Sequence, residues 1–155
     1  MNVIRATLVA ATLLFTVTLA SAVMASSPRS QQQSQDAAPA GGGKGWTIPA
    51  GAAQEPNPLQ STPEVLTKGK AIFEKNCQRC HGKSGKGDGK DADPDEPPDD
   101  LTDASRANRN PDGVMFYKVW NGRKSPKMPS FKSEGLSKDE VWTVVTYAKS
   151  LRQAK

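Results

Sequence analysis

At 155 residues the chain has the length of one domain, and its composition is uneven from end to end. The formal charge of +5 hints at a nucleic-acid partner, but the leader at the N-terminus points to export and makes that class a poor fit. No second apolar stretch is long enough to add a membrane span.

Residues 1–25 read as a secretory signal. Arg5 supplies the positive start, an apolar stretch runs from Ala6 to Leu19, and Ser21, Ala22 and Ala25 offer small residues for cleavage. The rival reading is a leader kept as a membrane tether, against which Thr7, Thr12, Thr16, Thr18 and Ser21 dilute the apolar run. No cysteine lies near the cleavage point to accept a lipid. Residues 26–60 form a flexible linker and strap. As far as Gly45 they are rich in Gln, Ser, Ala and Gly, too polar to offset the entropy of ordering. Trp46, Ile48, Pro49, Pro56 and Pro58 then predict either an extended strap on the domain, anchored by Trp46 and Leu59, or more linker. The remaining residues, 61–155, form the folded domain.

A first helix is predicted over Pro63 to Asn76. Thr62 can cap it, Pro63 suits the first helical position, and Glu64 favours the positive end of the dipole. Val65, Leu66, Gly69, Ile72 and Phe73 keep helical spacing. Gly69 costs about 1 kcal/mol relative to alanine inside a helix. Its expected use is to let a second helix cross closely.

Directly after this helix stands Cys77-Gln78-Arg79-Cys80-His81. The C-x-x-C-H run reads as a c-type haem attachment site, with two thioethers to the porphyrin and the adjoining imidazole on the iron. His81 is the chain's single histidine, so no other imidazole can take that place. Zinc would need a fourth ligand, which only a carboxylate could supply here. A redox-active C-x-x-C suits a βαβ setting, whereas helical patterns and a glycine-rich loop flank this one. A plain disulfide would suit an exported chain but leaves the abutting histidine unexplained.

From Gly82 to Asn110 there is little apolar material beyond Leu101, and a loop of that length is unusual in a small domain. It makes sense if a buried macrocycle supplies the core and the loop wraps one edge. Gly85-x-Gly-x-Gly lacks the preceding strand of a phosphate loop, and the acidic residues do not follow the spacing of an EF-hand. A second helix is predicted from Pro111 to about Trp120, capped by Asn110 and ended by Asn121-Gly122. Val114 and Tyr117 should face inward, with Met115, Val119 and Trp120 as further inward candidates. The next loop carries Met128-Pro129. Met1 and Met24 lie in the leader and Met115 in a helix, which leaves Met128 as the thioether best placed to face His81 across an iron, with an open or Lys-ligated iron as the alternative. The last helix, about Lys138 to Arg152, opens with a capping box from Ser137 to Glu140 and a staple of Leu136 on Val141. Val141, Val144, Ala148 and Leu151 form its apolar stripe, widened by Val145 and Tyr147.

Charge is also unevenly placed. Asp88, Asp91, Asp93, Asp95, Glu96, Asp99, Asp100 and Asp103 crowd one loop, and Lys118, Arg123, Lys124, Lys127 and Lys132 crowd another. This is either a docking dipole or the ordinary solvation of two loops.

Taken together, Gly69-x-x-x-Phe73, Cys77-x-x-Cys80-His81-Gly82, Asn121-Gly122, Met128-Pro129 and Tyr147 resemble the class I, monohaem cytochrome c family of bacterial periplasmic type. The resemblance spans about Thr62 to Leu151 and implies an all-α fold of three to four helices wrapped around one covalent haem c. It implies Cys77 and Cys80 as attachment points, His81 and Met128 as axial ligands, and a proline carbonyl, from Pro97 or Pro98, behind the imidazole. The function it implies is one-electron transfer between redox protein donors and acceptors in the periplasm, as a monomer or a complex subunit, rather than catalysis. The alternatives are a haem c subunit of a larger dehydrogenase or reductase complex, and an open-iron enzyme or sensor.

Overall fold

The computed structural model describes Gly43 and residues 45–153, with the side chain of Gln153 excepted. The leader and most of the linker lie outside the described residues. Within them the domain is helical: α1 (Pro63–Asn76), a single-turn α2 (Gln78–His81), α3 (Asp112–Asn121) and α4 (Lys138–Ser150). Three 3-10 turns accompany them, at Ala52–Gln54, Ala104–Arg109 and Leu151–Gln153. The one β-type pairing among the described residues is an isolated bridge between Arg123 and Met128.

Local chemistry sets the helix ends. The Thr62 hydroxyl accepts from the Val65 amide at 3.3 Å with Pro63 at the first position, so α1 begins where its sequence signals place it. At the head of α4 the Ser137 hydroxyl accepts from the Glu140 amide, and the Glu140 carboxylate accepts from the Ser137 amide at 2.8 Å. The bonds donated to it by the Ser137 amide and hydroxyl hold the Glu140 carboxyl below the usual carboxylate range. Gly122 ends α3 at φ +63°. The start of α3 departs from expectation, because Pro111 is its cap and Asn110 closes the preceding 3-10 turn instead. The amide of Asn110 is drawn to Ala107 and Arg106, and its side-chain oxygen accepts from Lys118 Nζ at 2.6 Å.

The frame is the crossing of α1 over α4. A Cβ on Gly69 would stand 2.6 Å from the Thr143 carbonyl oxygen and 2.6 Å from Tyr147 Cβ, so the two backbones meet where only hydrogen fits. Phe73, one turn on, packs its ring against Tyr147 at 5.5 Å and 57°. Beneath the crossing lies the main core of Met115, Phe116, Phe131, Val141, Trp142, Val145 and Ala148. Phe116 stacks on Trp142 at 4.3 Å, and burial of each such ring contributes on the order of 2–3 kcal/mol.

The inward face of α3 differs from the one its pattern suggested. Val114, Met115, Phe116 and Lys118 are buried, while Tyr117 is half-buried. The reason is a second, smaller core: Ile48, Ala52 and Val114 pack together with Trp46, Ala53 and Tyr117, so α3 is covered on two sides. Residues 45–59 are thus a strap laid on α3, with Leu59 reaching the main core. Gly113 lets the Ala52 carbonyl approach α3. Asn57 Nδ2 fastens the end of the strap by donating to Thr146 Oγ1 at 2.9 Å, which accounts for the buried Thr146 on α4. The long loop after α2 is not structureless either. It includes the 3-10 turn at Ala104–Arg109, whose Asp103 cap accepts from the Ser105 amide and whose Arg106 pairs with Asp103 and Asp99.

Candidate haem site

Cys77 is the joint between α1 and α2: its amide donates to the Phe73 carbonyl at 2.8 Å, and its own carbonyl accepts from His81 N at 2.9 Å. The C-x-x-C-H run therefore folds as one helical turn. Cys77 and Cys80 are half-buried and carry no disulfide. Burial, and next the neighbouring Cys80, push the Cys77 thiol up to about 12, so it is no reactive thiolate. Burial also lowers the His81 imidazole, opposed by the backbone and the charge of Asp99, and its Nδ1 is buried without a hydrogen-bond partner. Among the described residues no group of three His, Cys, Asp or Glu side chains is arranged to hold a metal ion by itself.

Across from α2 the loop after α3 is closed by a reciprocal backbone pair, Arg123 N to Met128 O at 2.8 Å and Met128 N to Arg123 O at 2.9 Å. The pair fixes the backbone of Met128, and the Trp120 carbonyl, accepting from Ser130 Oγ at 2.9 Å, fixes the segment that follows.

Cys77, Cys80, His81 and Met128 all line one cleft, with about 1180 Å³ of empty space counted out to its open mouth. Phe73, Leu101, Val119, Phe131, Val144 and Val145 form apolar parts of its wall. Small domains are close-packed, and an open cleft with an apolar wall between the helices of one marks a place for a large apolar group. A porphyrin fits what surrounds it: two thiols on one turn, a buried neutral imidazole with an unpartnered nitrogen, a thioether from a separate segment and an apolar wall.

One end of the cleft is polar in a way the sequence pattern did not reveal. Trp46, Asn110, Lys118, Arg106 and Arg123 meet there with Glu96 and Asp99, and Arg152 lines the same cleft. Lys118, grouped above with the exposed basic loop, is only 8% exposed. Its place four residues after the fully buried Val114 was the available signal, since i and i+4 share a helix face. Lys127 lines the cleft mouth, and Lys124 and Lys132 are exposed.

Residues 64–147 match the family described as cytochrome c oxidase, cbb3-type, subunit III. Among solved structures, a chain of the Kuenenia stuttgartiensis reducing HAO-like protein complex is similar at 33% identity and a TM-score of 0.52. That likeness covers 61% of this chain and 46% of the other, so this chain spans under half of that relative's length. No curated protein matches. The family match extends over more than half of the sequence and takes in α1, the C-x-x-C-H turn, Met128 and most of α4. The chain therefore belongs to this family, as an all-helical, haem-binding cytochrome c domain of the electron-transport class.

Proposed function

We propose that this protein is a periplasmic one-electron carrier holding a single haem c, attached through Cys77 and Cys80 and ligated by His81 and Met128. The observation behind this reading is that these four side chains, from two separate stretches of sequence, line one apolar cleft. When bound, the haem supplies a one-electron store at its iron. The chain's own part is to hold and to exclude. Burial keeps the His81 imidazole neutral, with a lone pair to give. The Arg123–Met128 backbone pair fixes the main chain from which the thioether would reach the iron, and the apolar wall limits the water beside it.

Absorption spectra of the oxidised and reduced protein, made with the export and haem-maturation machinery, test the reading. Colour that survives acid acetone, with a sulfur-to-iron band in the oxidised form, is expected. A colourless product refutes it.

A second reading is favoured by the likeness to a chain of the reducing HAO-like protein complex: this domain is a haem subunit of a larger assembly. Co-purification with a partner separates the two. In either case the exposed Lys124 and the cleft-mouth Lys127 are expected to steer an acidic partner. Reversing both charges, Lys124→Glu with Lys127→Glu, should slow electron exchange roughly tenfold or more at low ionic strength and progressively less as salt rises, with little change in midpoint potential. An unaltered rate at low salt would remove the steering role.

A further inference from the structure

Lys118 is a buried ammonium that touches no carboxylate among the described residues. At 8% exposure its Nζ donates to the neutral Asn110 Oδ1 at 2.6 Å and lies 5.3 Å from the centre of the Trp46 ring. Buried lysines are rare unless paired, because the cost of desolvating the charge needs an opposite charge nearby to offset it. The surroundings supply the reverse. Arg106, Arg109 and Arg123 all disfavour its charge, and Asp99 alone favours it. Asp99 is itself engaged by Arg106, which also holds Asp103. Glu96 acts on Arg123, whose Nε donates to the Pro126 carbonyl at 2.7 Å and whose guanidinium lies 4.7 Å from the Trp46 ring. The strap brings an aromatic ring to this place but no charge. Glu96 and Asp99 line this end of the cleft as well, but Arg123 and Arg106 engage them, so Lys118 is the buried cation there whose charge no direct carboxylate contact offsets.

Such an end is complementary to an anion that enters with a large apolar body. A haem has this form, with two carboxylates on one edge of its ring. We propose that Lys118 pairs with a haem carboxylate and that the proton on its Nζ is coupled to the redox state of the iron. The inference rests on the haem reading above.

When a one-electron donor reduces the protein above the lysine's pKa, the iron gains one electron and Lys118 Nζ gains one proton from water. Reduction removes a positive charge from the iron and so favours the ammonium. Burial pushes Lys118 down to about 8, and a carboxylate beside it pulls the value back up, so the coupling operates from about pH 8 upward. Below that window Lys118 is charged in both redox states and the potential is level. Within it the ferrous-to-ferric equilibrium constant falls with rising pH, by at most tenfold per unit.

The test is a redox titration of the holoprotein from pH 6 to pH 10, for the wild type, Lys118→Met and Lys118→Arg. The expected wild-type curve is flat and then falls. Lys118→Met should shift the equilibrium roughly threefold to tenfold toward ferric at pH 7, as loss of one partly buried charge would, and should flatten the alkaline fall. Lys118→Arg keeps a charge that does not titrate, so it should hold the pH 7 value and still flatten the fall. Equal slopes in all three proteins would overturn the proposal. So would a fall that tracks loss of the sulfur-to-iron band, since it would then belong to ligand exchange. A protein that binds no haem overturns the haem reading as well, and colour with an unchanged slope overturns this inference alone.

Discussion

Replacing Met128 by alanine should abolish the sulfur-to-iron band of the oxidised protein and move the ferrous-to-ferric equilibrium toward ferric by about a hundredfold or more, some 120 mV for a one-electron couple. The expectation rests on position. Met128 is half-buried, lines the cleft with His81, and is tied at its backbone to Arg123. The reduced variant should also take up carbon monoxide, which the wild type at neutral pH should not. Met115 provides the control. It lines the same cleft, but its sulfur accepts from the Arg152 guanidinium at 3.2 Å and it sits within a helix of the core. Met115→Leu, a swap of similar volume, should leave the band intact. If the band survives Met128→Ala and disappears with Met115→Leu, the ligand assignment is reversed.

The second large effect belongs to the frame. Gly69→Val should lower the unfolding free energy by at least about 3 kcal/mol, measured by urea denaturation. A branched side chain would have to occupy the 2.6 Å gap to the Thr143 carbonyl and Tyr147 Cβ, and neither atom is the free end of a flexible side chain. Gly69→Ala is the finer test because two terms compete. Helix propensity favours alanine by about 1 kcal/mol, while overpacking costs about 1–3 kcal/mol. The crossing as described makes the second term larger. A stabilised alanine variant would mean that α1 and α4 stand farther apart than the structure has them. Domains of this kind have about 5–15 kcal/mol in total, so the valine variant should also retain haem poorly during maturation.

What the sequence made legible was what short-range chemistry decides. Thr62-Pro63, Ser137 with Glu140, and Gly122 each fix a helix end through atoms within a few residues, and all three do so here. Gly69 was legible because its cost inside a helix needed a compensating use. The four candidate site residues could be picked from composition, since there is a single histidine, a single cysteine pair and one methionine on a loop outside the expected leader. That they share a cleft is a tertiary fact. The misses have the same origin. Asn110 looked like a cap but is used by Lys118 and the turn before it. Tyr117 and Phe116 trade degrees of burial because the strap covers a face of α3 that no local pattern announces. Lys118 read as a surface charge because nothing nearby in sequence says that Trp46, more than seventy residues earlier, lies over it.

The reciprocal bond between Arg123 and Met128 has a wider consequence. It closes a small ring of chain that is braced from within by Arg123 Nε on the Pro126 carbonyl, while Lys124 and Lys127 stay exposed. Met128, the proposed sulfur donor, is thereby insulated from changes made a few residues away. On the proposed ligation, a descendant of this protein can rewrite the charges of that stretch without moving the Met128 backbone.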